Sequence, residues 1–302
     1  MAINIDKIRQ NLSKLKQNDT WTLRGSIKSF LDSESLEYQE NTKATECYSV
    51  SLYLKEYKVA IDLCSVETHC AGDSMFKSQK QFYNKAMQFK QAGIRLIYIW
   101  DWEWFDLRKQ KILKNIVLNA CQKDAHRVYA RNTYIKVVPA ISIKEFFLQN
   151  NIQGYRVAKD AICLYDKKTD ELLMAYSIGH AYFGKGKYDL EIARGACKLG
   201  YSIVGGSSKL WKYVVEQYAP DKSIVYYVDL NQYNGNSLDK LVEQFPAMKF
   251  ITGKQSFRNW FVEEQKMRNR DPKHHAQIKE LTELGLIKVC YNAGSLVYVY
   301  QP

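Results

Sequence analysis

The spacing of apolar positions changes several times along the chain, and each change marks a predicted element. Ile5, Ile8 and Leu12 fall on one helical face, and Leu23, Ile27 and Leu31 recur at four-residue steps, so residues 1–32 read as helices. The runs CYSVSLYL (47–54) and YKVAIDLC (57–64) read as strands joined by a tight turn at Lys55-Glu56. A lysine-rich helix over 76–92 stops at Gly93, and IRLIYIW (94–100) follows as a buried strand. Residues 104–121 return to helical spacing, and TYIKVVPAIS (133–142) is strand-like. Strand, strand, helix, strand, helix, strand predicts a compact α/β unit that ends near residue 140.

A second pattern begins with a helix over 143–153 and the strands AICLYD and ELLMAYSIG around the turn KKTD. LEIARGACK and YSIV lead through the turn GGSSK into a helix. The strand SIVYYVDL (223–230), a loop of Asn and Gly, and the helix SLDKLVEQF come next. A basic stretch (254–275) and a hairpin, GLIKVCYNAGSLVYVY, turning at Asn292-Ala293-Gly294, close the chain. The expected fold class is therefore α/β in two domains: an N-terminal helix (1–16), a first domain (17–140) and a second (141–302).

Composition narrows the function. Apolar residues at 46% and charged residues at 25% exclude a chain too polar to fold, and five prolines with no Gly/Ser tract leave no long flexible linker. The net charge is +12, with 22 basic against 15 acidic residues up to position 140 and 22 against 17 beyond it. An excess in both halves points to a polyanionic partner, because neutralising phosphates releases condensed counterions. Seven cysteines without a CxxC pair suit reduced thiols in the cytoplasm. Cys64, His69 and Cys70 form the only local Cys/His cluster, and adjacent side chains on a strand diverge, which argues against zinc. No run approaches 18 uncharged apolar residues, so neither a signal peptide nor a membrane partner is expected.

Several strings then converge on one family. KVAIDLCSVETH (58–69), AGIRLIYIWDWEW (92–104), FFLQNNIQGY, LEIAR…GYSIVGGSSKL and GLIKVCYNAGSLVYVY occur in the order found in phage homing endonucleases, and the chain resembles that family from about residue 25 onward. The resemblance implies a first domain similar to the very-short-patch-repair nuclease, a relative of the PD-(D/E)XK enzymes. It also implies Mg²⁺ as the family's cofactor, double-stranded DNA as partner, and a phage-infected bacterial cytoplasm as the setting.

Such a nuclease needs acidic oxygens around Mg²⁺ to stabilise charge at the scissile phosphate and to activate a water. Laid on this chain, the family pattern puts Ser26 where the first helix carries a glutamate and Ser51 where the first strand carries an aspartate. Asp62, His69, Lys85 and Glu103 keep the remaining catalytic positions, although Trp102 replaces an aspartate beside Glu103. Two hydroxyls in place of carboxylates imply a degenerate site with no bound metal; Glu46 or Glu67 could supply a substitute carboxylate if cleavage persists.

The expected nucleic-acid contacts are Lys77 and Lys80, then Arg108, Lys109, Lys111 and Lys114, and Arg258, Lys266, Arg268 and Arg270 in the basic stretch. Trp100, Trp102 and Trp104 lie between the first two groups, either as stacking surface or as core. In the second half, strand, glycine turn and helix look like the acetyl-CoA-binding core of the GCN5-related acetyltransferase fold, with Gly205, Gly206, Ser207, Ser208 and Lys209 as the anion-binding turn. The basic or amide residue that leads that family's turn is missing, which leaves a CoA-dependent acyltransferase, or a protein-binding subunit with a phage or host partner, as the rival functions.

Overall fold

The structure is a computed structural model that describes residues 22–65, 69, 81–123, 126–182, 186–254, 257–261, 266–269 and 287–302. It begins with helix α1 (Leu23–Ser33), whose first turn is closed by the Gly25 N–H donating to Thr22 Oγ1 at 3.0 Å. Strands β1 (Gln39–Lys43), β2 (Ser49–Leu54) and β3 (Val59–Cys64) run antiparallel in sequence. Helix α2 (Gln81–Gln91) then carries the chain to β4 (Arg95–Trp100), which pairs parallel with β3. Gly93, at φ +69°, donates to the Lys90 carbonyl and ends α2 where the sequence predicts.

Alternation explains β2, which buries Val50, Leu52 and Leu54 on its inward face. β3 is buried on both faces as an inner strand. On one side of the sheet lie α1 and α4 (Leu107–Ala120), the latter after a single helical turn, α3 (Asp101–Trp104). On the other side α2 presents Phe82, Ala86 and Phe89 to Ala60, Leu96, Tyr98 and Trp100, in a core that continues through Leu210, Trp211, Leu238, Leu296 and Tyr298 of the second half.

The remaining elements are β5 (His126–Tyr129), β6 (Thr133–Pro139), α5 (Lys144–Asn150), β7 (Asp160–Asp166), β8 (Leu172–His180), β9 (Leu190–Cys197) and β10 (Tyr201–Val204). They are followed by α6 (Gly206–Tyr213), β11 (Ile224–Asp229), α7 (Asn236–Gln244), β12 (Met248–Lys254), β13 (Phe257–Phe261), β14 (Lys266–Asn269), β15 (Ile287–Tyr291) and β16 (Ser295–Tyr300). Seven of these strands form one sheet in the order β12-β16-β11-β9-β8-β7-β6. β9 and β11 are parallel and share only three register pairs, from Leu190↔Ile224 to Ile192↔Tyr226. A mixed α/β architecture is thus observed.

Two expectations are corrected by strand pairing. β6, read as the last strand of the first unit, pairs with β7 over seven positions from Thr133↔Asp166 to Pro139↔Asp160 and so belongs to the second sheet. The closing segment is not a hairpin: β15 pairs with β13, whereas β16 inserts between β11 and β12. Its turn is buried, with Ala293 donating to Asn231 Oδ1 at 3.2 Å, and it carries the chain from one sheet to another. The tryptophans do not alternate along a strand, because β4 ends at Trp100 and α3 begins; Trp100 and Trp104 are core, and Trp102 stacks on Trp100 at 4.3 Å.

The two sheets meet at the loop after β11. The Tyr98 N–H donates to the Asn231 carbonyl at 2.7 Å and an Arg95 guanidinium N–H to the Gln232 carbonyl at 3.2 Å. Lys90 pairs with Asp239 and donates to the Asn234 carbonyl at 2.7 Å. On the outer edge of β4 the Tyr98 N–H is thereby satisfied by the other half of the chain. Among the described residues no helix is long and apolar enough to cross a membrane.

Candidate functional site

Antiparallel pairing of β2 with β3 sets Leu52 opposite Ile61, which places Ser51 opposite Asp62 on the same face. The Ser51 hydroxyl donates to Asp62 Oδ1 at 3.3 Å and accepts the Leu63 N–H at 3.1 Å. Lys85, beside the buried Ala86 on α2, reaches across to Asp62 Oδ2 at 2.6 Å. Both charged side chains are nearly covered, at 12% exposure for Asp62 and 14% for Lys85. The sequence thus correctly groups Ser51, Asp62 and Lys85. What it groups as a metal site is, in the structure, an ion pair with a hydroxyl on its second oxygen.

The other expected members are near but differently engaged. Ser26 accepts the Trp104 indole N–H at 2.9 Å, so the helix hydroxyl holds an aromatic side chain of the core. His69 is buried, with its ring 5.8 Å from Trp100 and 5.9 Å from Phe82, and its Nδ1 accepts the Ser65 N–H at 3.4 Å. Glu103 is buried on α3 and accepts from Gln232 Nε2 at 3.4 Å, across the junction between sheets. Burial pushes the Cys64 thiol well up, and Asp62, Asp101 and Glu103 push it further while Lys85 opposes them. These carboxylates therefore share one neighbourhood without sharing one point. Among the described residues no three His, Cys, Asp or Glu side chains converge as metal ligands. Glu46 is exposed on the loop before β2, and Glu67 lies outside the described residues, as does Cys70.

A Mg²⁺ site is commonly built from several oxygen donors. Here the donor set is one carboxylate with both oxygens already engaged and one neutral hydroxyl. These residues do not fit the metal as they stand.

The expected DNA face changes more. Arg108 donates to the carbonyls of Leu148 at 2.7 Å, Asn151 at 3.0 Å and Ile152 at 3.1 Å, closing the C-terminal end of α5. Lys114 lies over the rings of Phe30 and Trp104, at 5.2 Å and 5.8 Å. Lys111 is exposed and Lys109 is half-buried. Lys77, Lys80 and Arg270 lie outside the described residues; Arg258 is on β13, and Lys266 and Arg268 are on β14, so these parts of the basic stretch are extended.

The glycine turn forms where expected, with Gly205 at φ +78° immediately before α6 and Ser207 and Ser208 in its first turn. A Cβ on Gly206 would meet Ile203 Cγ2 at 2.8 Å, so only glycine fits there. Lys209 donates to the carbonyls of Ala130, at 2.9 Å, and Thr133. Burial lowers its pKa, with Lys167 adding to the effect. Ser207 and Tyr226 hydrogen-bond to the Tyr176 hydroxyl, whose pKa burial raises to about 12.

A second, largely buried ion pair that no sequence signal marks joins Arg156 to Glu191, the latter also accepting the Tyr182 N–H at 2.9 Å. Beside it, burial and then Arg156 lower the Arg194 pKa to about 10. Arg156 lies on the loop before β7 and Glu191 on β9, 35 residues later, so the pair forms only when that loop packs against the sheet. No protein-family model matches the chain, and no characterised protein matches it in sequence.

Proposed function

We propose that this chain is a DNA-binding protein of homing-endonuclease type whose hydrolytic centre has given way to a structural ion pair. The observation that carries the reading is the Ser51–Asp62–Lys85 arrangement, in which the retained carboxylate meets an ammonium at 2.6 Å and has a hydroxyl where the family pattern has an acid. Lys85 holds a position that the family pattern also keeps, so it is the missing acid at Ser51 that lowers the charge available to a divalent ion. The charge of +12, in excess in both halves, supports a polyanionic partner. The seven-stranded sheet is in keeping with an acetyltransferase-like second half, whereas the glycine turn follows β10, which pairs with β5 outside that sheet, and the engaged Lys209 favours a scaffold over a CoA site.

The test pairs a DNA-binding titration over a salt series with a plasmid-nicking assay in Mg²⁺ and Mn²⁺. Binding should weaken with a slope of about 0.9 in log K per phosphate neutralised on duplex DNA. Nicking should stay at background. Robust cleavage abolished by Asp62→Ala would overturn the reading of a degenerate site, and a flat salt response would overturn the DNA partner.

A further inference from the structure

The cations that the sequence assigns to DNA on α4 are in part internal, whereas a different segment leaves its cations outside. Residues 126–136, HRVYARNTYIK, contain Arg127, Arg131 and Lys136 and no Asp or Glu. All three cations are exposed. The segment spans β5, a single 3-10 turn and the start of β6, the terminal strand of the seven-stranded sheet.

Its aromatic rings are exposed too. Tyr129 is 44% and Tyr134 36% exposed, although tyrosine rings ordinarily seek cover. Arg131 lies 5.0 Å from the Tyr129 ring, and Tyr134 stacks on Tyr165 at 5.7 Å with 24° between planes. Lys136 places its ammonium 5.7 Å from the same Tyr165 ring. The turn after β7 adjoins this surface, because the Lys167 N–H donates to the Asn132 carbonyl at 2.9 Å. The three acids of that turn are all engaged: Asp166 accepts the Lys168 and Thr169 N–H groups, Asp170 accepts the Tyr134 hydroxyl, and Glu171 pairs with Lys198.

Rings and cations interleaved along an exposed segment, from β5 beside β10 to β6 at the edge of the larger sheet, suit a ligand with flat faces and a charged backbone. In duplex DNA the base faces are hidden by stacking, and only unpaired nucleotides offer both. Building on the reading that the chain handles DNA, we propose that this surface binds an unpaired DNA strand, with Tyr129 and the Tyr134–Tyr165 stack as base platforms and Arg127, Arg131 and Lys136 on phosphates.

Fluorescence anisotropy of the full-length chain with a labelled oligothymidylate, and with a labelled duplex of equal length, tests it over a salt series. Tyr129→Ala with Tyr134→Ala should weaken single-strand binding about tenfold or more and leave the salt slope nearly unchanged. Arg131→Gln with Lys136→Gln should lower the single-strand slope by about 0.7 per cation removed. The substituted side chains are exposed, and thermal melts matching wild type would show that the fold is kept. Tyrosine variants that bind the single strand as wild type does, or that lose duplex and single strand equally, would overturn the surface while leaving a DNA-binding protein. A wild-type chain that binds neither probe would overturn the DNA reading itself.

Discussion

Asp62 separates an ion pair from a metal ligand, because only the first role makes the loss on substitution independent of Mg²⁺ and recoverable by removing Lys85 as well. Asp62→Ala leaves the Lys85 ammonium in a site where its side chain is 14% exposed, beside only the Ser51 hydroxyl and the buried strand. Removing one partner of a buried pair costs about 3–5 kcal/mol, and the residual exposure of both groups puts this pair at the low end, about 3 kcal/mol. Each kcal/mol moves the melting temperature of a chain of this size by about 2–4 °C, which makes the loss roughly 6–12 °C. Removing both charges, in Asp62→Leu with Lys85→Met, should restore most of it, since apolar replacements of a buried pair are often neutral.

A metal ligand behaves otherwise. Mg²⁺ at a hundredfold excess over its dissociation constant would stabilise the wild type by about 2.7 kcal/mol, and Asp62→Ala would remove that gain. Thermal melts followed by circular dichroism, with and without millimolar Mg²⁺, read both quantities. We expect no Mg²⁺-dependent rise and a double variant more stable than either single one. An Asp62→Ala protein that melts with wild type, or a wild-type rise in Mg²⁺ that Asp62→Ala abolishes, would refute the ion-pair reasoning.

Other expectations follow from the same geometry. Ser51→Asp sets a second carboxylate beside Asp62 Oδ1, now 3.3 Å from the hydroxyl, so it should lower the melting temperature without metal and recover part of it in Mg²⁺; cleavage should need Ser26→Glu as well, read by plasmid nicking. Burial raises the thiols of Cys121 to about 11 and Cys163 to about 12 from 9.0. Their contribution is therefore complete below pH 9.0 and declines as pH rises through those values, because the unfolded chain ionises first; a urea-stability profile at alkaline pH should fall less steeply in Cys163→Ala. Gly195→Ala drives a methyl into the Tyr226 hydroxyl and should cost about 1–3 kcal/mol, relieved in part by Tyr226→Phe in the same urea assay. A fragment ending at residue 125 loses the cover over Phe82, Phe89, Leu96, Tyr98 and Trp100 and should melt without a cooperative transition in calorimetry.

Local signals in the sequence were enough for most elements of the first sheet. The alternation in SVSLYL, the stop at Gly93 and the apolar run ending at Trp100 each reflect physics within a few residues, and β2, α2 and β4 sit there. β1 was not legible because QENTK has no apolar residue; it is held at the sheet edge by Arg24 and Lys28 pairing with Glu40. Assigning β6 to a sheet failed for another reason. Periodicity says that a segment is a strand but is silent on which edge receives it, and seven pairs with β7 decide the matter. The neighbourhood of Ser51, Asp62 and Lys85 was legible through the family resemblance, whereas the ion pair within it depends on how a helix places one ammonium.

The fate of the cations gives the wider lesson. Lysines and arginines near glycine turns and on helices were natural candidates for phosphate contacts, yet several are taken up within the fold. Arg108 closes the end of α5, Lys209 joins the α6 turn to the carbonyls before β6, and Lys90 fastens α2 to α7. Each donates to carbonyls or to a carboxylate within the fold, and hydrogen bonds from a charged donor are among the stronger ones. Net charge alone therefore overstates the charge a fold presents to a polyanion. The cations that count are those whose neighbours are rings and solvent, and on this chain Arg127, Arg131 and Lys136 meet that condition on a short acid-free segment. Under the DNA-binding proposal, this segment is thus a better place to test than the helices.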